Sequence, residues 1–198
     1  MTKVKICGIT NFNDARASIN AGCDALGFVF YKKSPRYIAP EKAKAIIKSL
    51  PKNILKVGVF VNSKEKTIKK IAKFCGFDIL QFHGNESTGF CRRFRSYKVI
   101  KAIRVKDKVD LKCILQYNPF AYLFDAFMES KIGGTGKKFD WKLIKHLDGI
   151  KKPVFLSGGL SADNVKKAIE IAKPGWVDVS SGVEIRPGKK DHKKIADF

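Results

Sequence analysis

No run of about 18 apolar residues occurs anywhere in the 198-residue chain, so nothing in it reads as a membrane-spanning helix. The opening MTKVKIC lacks the apolar core of a secretory signal, and the expectation is a cytoplasmic protein with no membrane partner. Cysteine pairing signals are missing as well. Cys7, Cys23, Cys75, Cys91 and Cys113 are odd in number and scattered, with no C-x-x-C pair, which speaks against a disulfide framework or a zinc site. His83, His146 and His192 assemble no metal triad, so no metal is expected. Acidic residues are scarce, 18 against 40 Lys and Arg, giving a formal net charge of +22. Such a charge would suit a nucleic-acid binder, or an enzyme that draws in a multiply anionic substrate by its field. Lysines dominate it, however, and they are spread over every segment with no aromatic-interleaved basic run. We therefore expect solvated helix faces and no nucleic-acid partner. No linker or low-complexity tract interrupts the chain, and a single domain over residues 1–198 is expected.

What is present is an alternation of short β-like runs and amphipathic segments from end to end. The apolar runs are VKICGI (4–9), ALGFVF (25–30), LKVGVFV (55–61), DILQFHG (78–84), VIKAIRV (99–105), AYLFDAF (121–127), PVFLSGGL (153–160) and WVDVSSG (176–182). Their near-continuous Val, Ile, Leu and Phe content predicts parallel strands covered on both faces. Each is followed by a segment of helical spacing. In KEKTIKKIAKFC, Ile68, Ile71, Ala72 and Cys75 fall at i, i+3, i+4 and i+7 on an otherwise Lys-coated helix. Ser63, Ser87 and Ser161 are candidate N-caps, and Gly22, Gly76 and Pro174 candidate stops. Eight such units in 198 residues predict an α/β fold of the (β/α)8 TIM-barrel type; an open doubly wound sheet is the alternative.

In a barrel the chemistry gathers where strands end, so strand-end residues are the candidates. Glycine-rich turns follow strands six, seven and eight. Gly134, Thr135 and Gly136 form one lobe, beside Gly133; Gly158, Gly159, Ser180, Ser181 and Gly182 supply the rest, and their backbone N–H groups suit a phosphate. Arg36, stiffened by Pro35, is either a surface arginine or a fork that holds a carboxylate by two parallel hydrogen bonds. His83 at a strand end suits a ligand, an acid or a structural hydrogen bond, and taken alone the structural role is favoured. A buried cysteine is usually a small hydrophobe. Cys7 differs by lying at the mouth, where a thiolate can be stabilised, with Asp125 on a nearly opposite wall. An acid–base pair across a sugar phosphate suggests an isomerase.

KICGIT, GFVFYKKSPRYI, VGVFVN, LQFHG, KAIRV, LFDA with GGTGKKFDW, LSGGL, and VDVSSGVE with PGKKD together resemble, in order and over essentially the whole chain, the motifs of the phosphoribosylanthranilate isomerase family of tryptophan biosynthesis. The resemblance implies a cofactor-free (β/α)8 barrel, active as monomer or homodimer. Its reaction would be the Amadori rearrangement of a small phosphosugar substrate, N-(5-phosphoribosyl)anthranilate. It implies Cys7 as general base, Asp125 as general acid, Arg36 on the anthranilate carboxylate, His83 and Asp178 lining the substrate site, and the glycine loops on the phosphate. An acid at Asp125 would need its pKa raised by ~2–3 units, and a thiolate at Cys7 the opposite shift. Phe127, Met128 and the bulky Phe155 depart from the expected pattern without touching these positions.

Overall fold

A computed structural model describes residues 1–105, 110–125, 141 and 150–198. Eight parallel strands close on themselves in sequence order: β1 (Lys3–Cys7), β2 (Ala25–Val29), β3 (Leu55–Phe60), β4 (Ile79–Phe82), β5 (Lys98–Arg104), β6 (Ala121–Asp125), β7 (Val154–Ser157) and β8 (Trp176–Val179). Pairing of β1 with both β2 and β8 removes every sheet edge, and with it the open-sheet alternative. The strands are apolar throughout because both faces are covered. One set of side chains, including Ala25, Val57, Val59, Ile79, Ile100, Leu123 and Phe155, fills the barrel interior together with Cys7. The alternate set, including Ile6, Phe28, Phe60, Leu80, Phe124 and Val177, packs outward against the helices. Phe155 finds its place by stacking on Trp176, ring centroids 4.7 Å apart.

The described helices are α1 (Phe12–Asn20), α2 (Pro40–Lys48), α3 (Glu65–Cys75), α4 (Thr88–Arg92), α5 (Leu111–Leu115), α6 (Ala162–Ala172) and α7 (His192–Asp197). In α3 the expected stripe is buried at Ile68, Ala72 and Cys75, and Gly76 closes the helix in the left-handed conformation at φ +72°. Ser87 caps α4 by accepting from the Phe90 N–H, and Ser161 with Asn164 forms a capping box on α6. Ser63 is not a cap. Lys64 occupies that position without a side-chain bond, and the Ser63 hydroxyl turns back to the Val61 carbonyl. Its displacement follows from Asn62, whose φ of +49° turns the chain one residue earlier.

Beyond β8 a short 3-10 turn (Ser181–Val183) leads into a hairpin of two small strands, β9 (Glu184–Arg186) and β10 (Lys189–Lys190), before α7 returns to pack on α1. Gly133, Gly134, Thr135, Gly136, Phe127, Met128 and the helical segment expected after Trp141 lie outside the described residues. No described helix is long and apolar enough to cross a membrane.

Candidate active site

The ends of β1 to β4 and β6 to β8 open on a cavity of ≈ 940 Å³ at the C-terminal mouth of the barrel. Cys7, Arg36, His83, Asp125, Gly158, Gly159, Asp178, Ser180 and Ser181 all line it, although they come from six different strand ends. Gly182 lies just behind, where a Cβ would fall 1.8 Å from the Leu160 carbonyl oxygen; only glycine lets the loop after β8 press this close to the loop after β7.

Cys7 ends β1 beside Gly27 of β2, its register partner, and a Cβ on Gly27 would fall 2.8 Å from the Cys7 sulfur. The thiol therefore occupies room that a glycine leaves. Two residues earlier on the same face of β1, Lys5 is fully buried, and its Nζ donates to Asp178 Oδ1 at 2.6 Å. Burial pushes the Cys7 thiol above its ordinary range, the reverse of what a thiolate needs, and the Lys5 ammonium is the largest opposing influence. Burial also works against the charge on Lys5, but Asp178 and Cys7 hold its pKa above the usual lysine value.

Arg36 is no free surface arginine. Its Nε and Nη2 donate to the two carboxylate oxygens of Glu184 at 2.9 and 2.6 Å, a fork-on-fork pair. Glu184 is further held by Lys190, whose ammonium sits 3.0 Å from Oε1 and also donates to the Ser180 carbonyl. Burial would raise the Glu184 pKa, but Arg36 and Lys190 outweigh it and hold the carboxyl below its usual range. Gly8, at φ +81°, brings the backbone under this side chain: a Cβ there would lie 2.8 Å from Arg36 Cδ. On the opposite wall His83 Nε2 lies 3.0 Å from Asp125 Oδ2, while Gln81 Nε2 lies 2.9 Å from His83 Nδ1. With the glutamine amide donating to Nδ1, the ring proton sits on Nε2 and is donated to Asp125. Among the described residues no group of three or more His, Cys, Asp or Glu side chains is arranged to hold a metal ion.

The model of the N-(5'phosphoribosyl)anthranilate (PRA) isomerase family matches residues 4–198. The chain belongs to the phosphoribosylanthranilate isomerase family. An N-(5'-phosphoribosyl)anthranilate isomerase of Geotalea uraniireducens is 50% identical over 200 residues, which span 100% of this chain and 97% of that relative. The crystal structure of the phosphoribosylanthranilate isomerase of Thermotoga maritima superposes with a TM-score of 0.93 at 46% identity, covering 100% of this chain and 97% of that one. A second structure of the family, in complex with reduced 1-(o-carboxyphenylamino)-1-deoxyribulose 5-phosphate, gives a TM-score of 0.90 at 44% identity over 100% of this chain and 96% of that one.

Reading strand ends alone misses Lys5, Gln81, Glu184 and Lys190. A signal for two of them was present: Gln81 interrupts an otherwise apolar strand, and Lys5 is a polar residue in the middle of β1, between Val4 and Ile6. Glu184 and Lys190 lie in a hairpin too short to leave a periodic pattern.

Proposed function

We propose that the two walls of this barrel mouth act as an acid–base pair on N-(5-phosphoribosyl)anthranilate. As a member of its family the protein is an isomerase of tryptophan biosynthesis. The reaction is an Amadori rearrangement, an aldose–ketose isomerisation that yields 1-(2-carboxyphenylamino)-1-deoxyribulose 5-phosphate. The observation that carries the residue assignment is one cavity lined by Cys7, Asp125 and Arg36, with paired glycine and serine loops at its edge.

In this reading the phosphate rests on the backbone amides around Gly158, Gly159, Ser180 and Ser181, near the N-terminus of α6. Arg36, its Nε and Nη2 already committed to Glu184, presents Nη1 to the anthranilate carboxylate. Asp125 donates a proton to the furanose ring oxygen as the C1′–O bond breaks and the nitrogen lone pair forms the Schiff base. Its Oδ2 is held by His83, which leaves Oδ1 to carry that proton. The Cys7 thiolate then removes the proton from C2′, the C–H pair forms the C1′=C2′ bond as the C=N π pair returns to nitrogen, and the enolamine formed tautomerises to the ketone as C1′ takes up a proton.

Positioned acids and bases contribute about 10²–10⁴-fold each. Loss of phosphoribosylanthranilate fluorescence with purified protein should therefore slow by at least about 100-fold in kcat for Cys7→Ser and for Asp125→Asn, with KM little changed. Near-normal turnover in either variant removes that residue from its role. Because burial raises the Cys7 thiol, kcat/KM of the wild type should climb with pH into the alkaline range, where the free enzyme's thiol ionises.

A further inference from the structure

A barrel interior packed with Val, Ala, Ile, Leu and Phe has no packing need for an ammonium, yet Lys5 lies fully buried within it. Desolvating such an ion pair is expensive, and an apolar pair of similar volume is commonly as stable or more so. Lys5 does not line the cavity, so it cannot touch a substrate held there. Its only hydrogen-bonded oxygen among the described residues is Asp178 Oδ1, which leaves N–H capacity unused. Cys7 lies two residues on along the same face of β1, one strand repeat closer to the mouth. The Asp178 carboxylate is itself anchored by β8, where it is the register partner of Lys5.

We propose that Lys5 is a positioning residue for the isomerisation: its ammonium, locked by Asp178 under the floor of the cavity, serves as the buried counter-ion of the Cys7 thiolate. Lys5 transfers no proton. It stabilises the charge on sulfur before the C2′ proton is taken and gives up that interaction as the neutral thiol forms. The inference rests on the reading of Cys7 as the base. The other charged groups around Cys7 come from three directions. Asp178 on β8 opposes the thiolate and Lys190 on β10 favours it, while Arg36, in the loop after β2, lines the same cavity with its charge matched by Glu184. His83 and Asp125 line the far wall. Lys5 outranks Asp178 and Lys190 in its effect on the thiol.

The test is the rate of alkylation of Cys7 by iodoacetamide, followed by peptide mass spectrometry between roughly pH 6 and 11 in a Cys113→Ser background, which removes the exposed thiol. In Lys5→Met the midpoint should move up by about one pH unit or more, so that alkylation near neutrality slows about tenfold, and the rise of kcat/KM with pH should move with it at nearly constant KM. An unmoved midpoint overturns the proposal. A midpoint that moves while the pH–rate profile stays fixed supports the ion pair and retires Cys7 as the base, so the two ideas fail separately. Leaving Asp178 buried without its partner threatens folding of the single variant. Lys5→Met/Asp178→Asn removes both charges, and since Lys5 acts on Cys7 more strongly than Asp178 does, its alkylation midpoint should still rise; a midpoint equal to or below that of wild type overturns the proposal.

Discussion

Cys7 owes its reach to a neighbour that is not there. Gly27 leaves the space the sulfur fills, and a methyl group at that position would meet the sulfur at 2.8 Å and the Cys7 Cα at 3.2 Å. Since the clash includes backbone, the thiol cannot simply rotate out of it. Gly27→Ala should therefore displace Cys7 and lower kcat by about ten- to a hundredfold with smaller change in KM, because a misplacement near 1 Å is enough for such a loss. Steady-state kinetics beside circular dichroism would check this, and unaltered kcat in the folded variant would refute it. Residue by residue, the sequence made Cys7, Arg36, His83, Asp125 and Asp178 legible because each sits at or near the end of an apolar run. The pairings were not legible. That Asp178 faces Lys5, or Arg36 faces Glu184 from 148 residues away, depends on barrel closure and on a hairpin, and no local pattern encodes either.

At the scale of elements, the turn that carries His83 is held by a buried staple between β3, β4 and β5. Glu86 accepts from the N–H groups of Asn62 and Gly84, and its Oε2 pairs with Lys101 of β5 at 2.9 Å; that ammonium also donates to the Gly84 carbonyl at 2.7 Å. Both side chains are almost wholly buried, on the outer face of the barrel rather than in the cavity. Removing one partner strands the other, so Lys101→Met should lower the unfolding free energy by about 3–5 kcal/mol, read from the midpoint of urea unfolding. A loss below about 1 kcal/mol would mean that the pair is solvated in solution. The strands were recoverable from sequence because burial on both faces forces a continuous apolar run, and their ends fell within a few residues of those expected. Capping was less secure. Ser87 and Ser161 cap because the chain is extended as it enters their helices, whereas the left-handed turn at Asn62 puts Ser63 one residue too early. The β9–β10 hairpin, with strands of three and two residues, falls below any detectable period.

For the molecule as a whole the open quantity is the charge of +22, which the buried pairs do not consume: Lys5, Lys101 and Lys190 each meet a carboxylate, and most of the remaining cations have no such partner among the described residues. Lys coats the exposed faces of α2, α3 and α6, so among the described residues much of the field comes from the outer ring of helices, with Arg36 and Lys167 also lining the mouth. Such a field still acts on a substrate that carries both a phosphate and a carboxylate, and its range is set by salt: the screening length is about 30 Å at 0.01 M and about 3 Å at 1 M. At low salt it extends across the helical ring to the mouth; at high salt it does not. Raising sodium chloride over that range should lower kcat/KM by about tenfold while kcat changes less than about twofold, because encounter is steered and the enclosed chemistry is screened little. If kcat/KM instead stays within about twofold, the lysines serve only to solvate their own helices, and capture of the substrate depends on the groups that line the mouth.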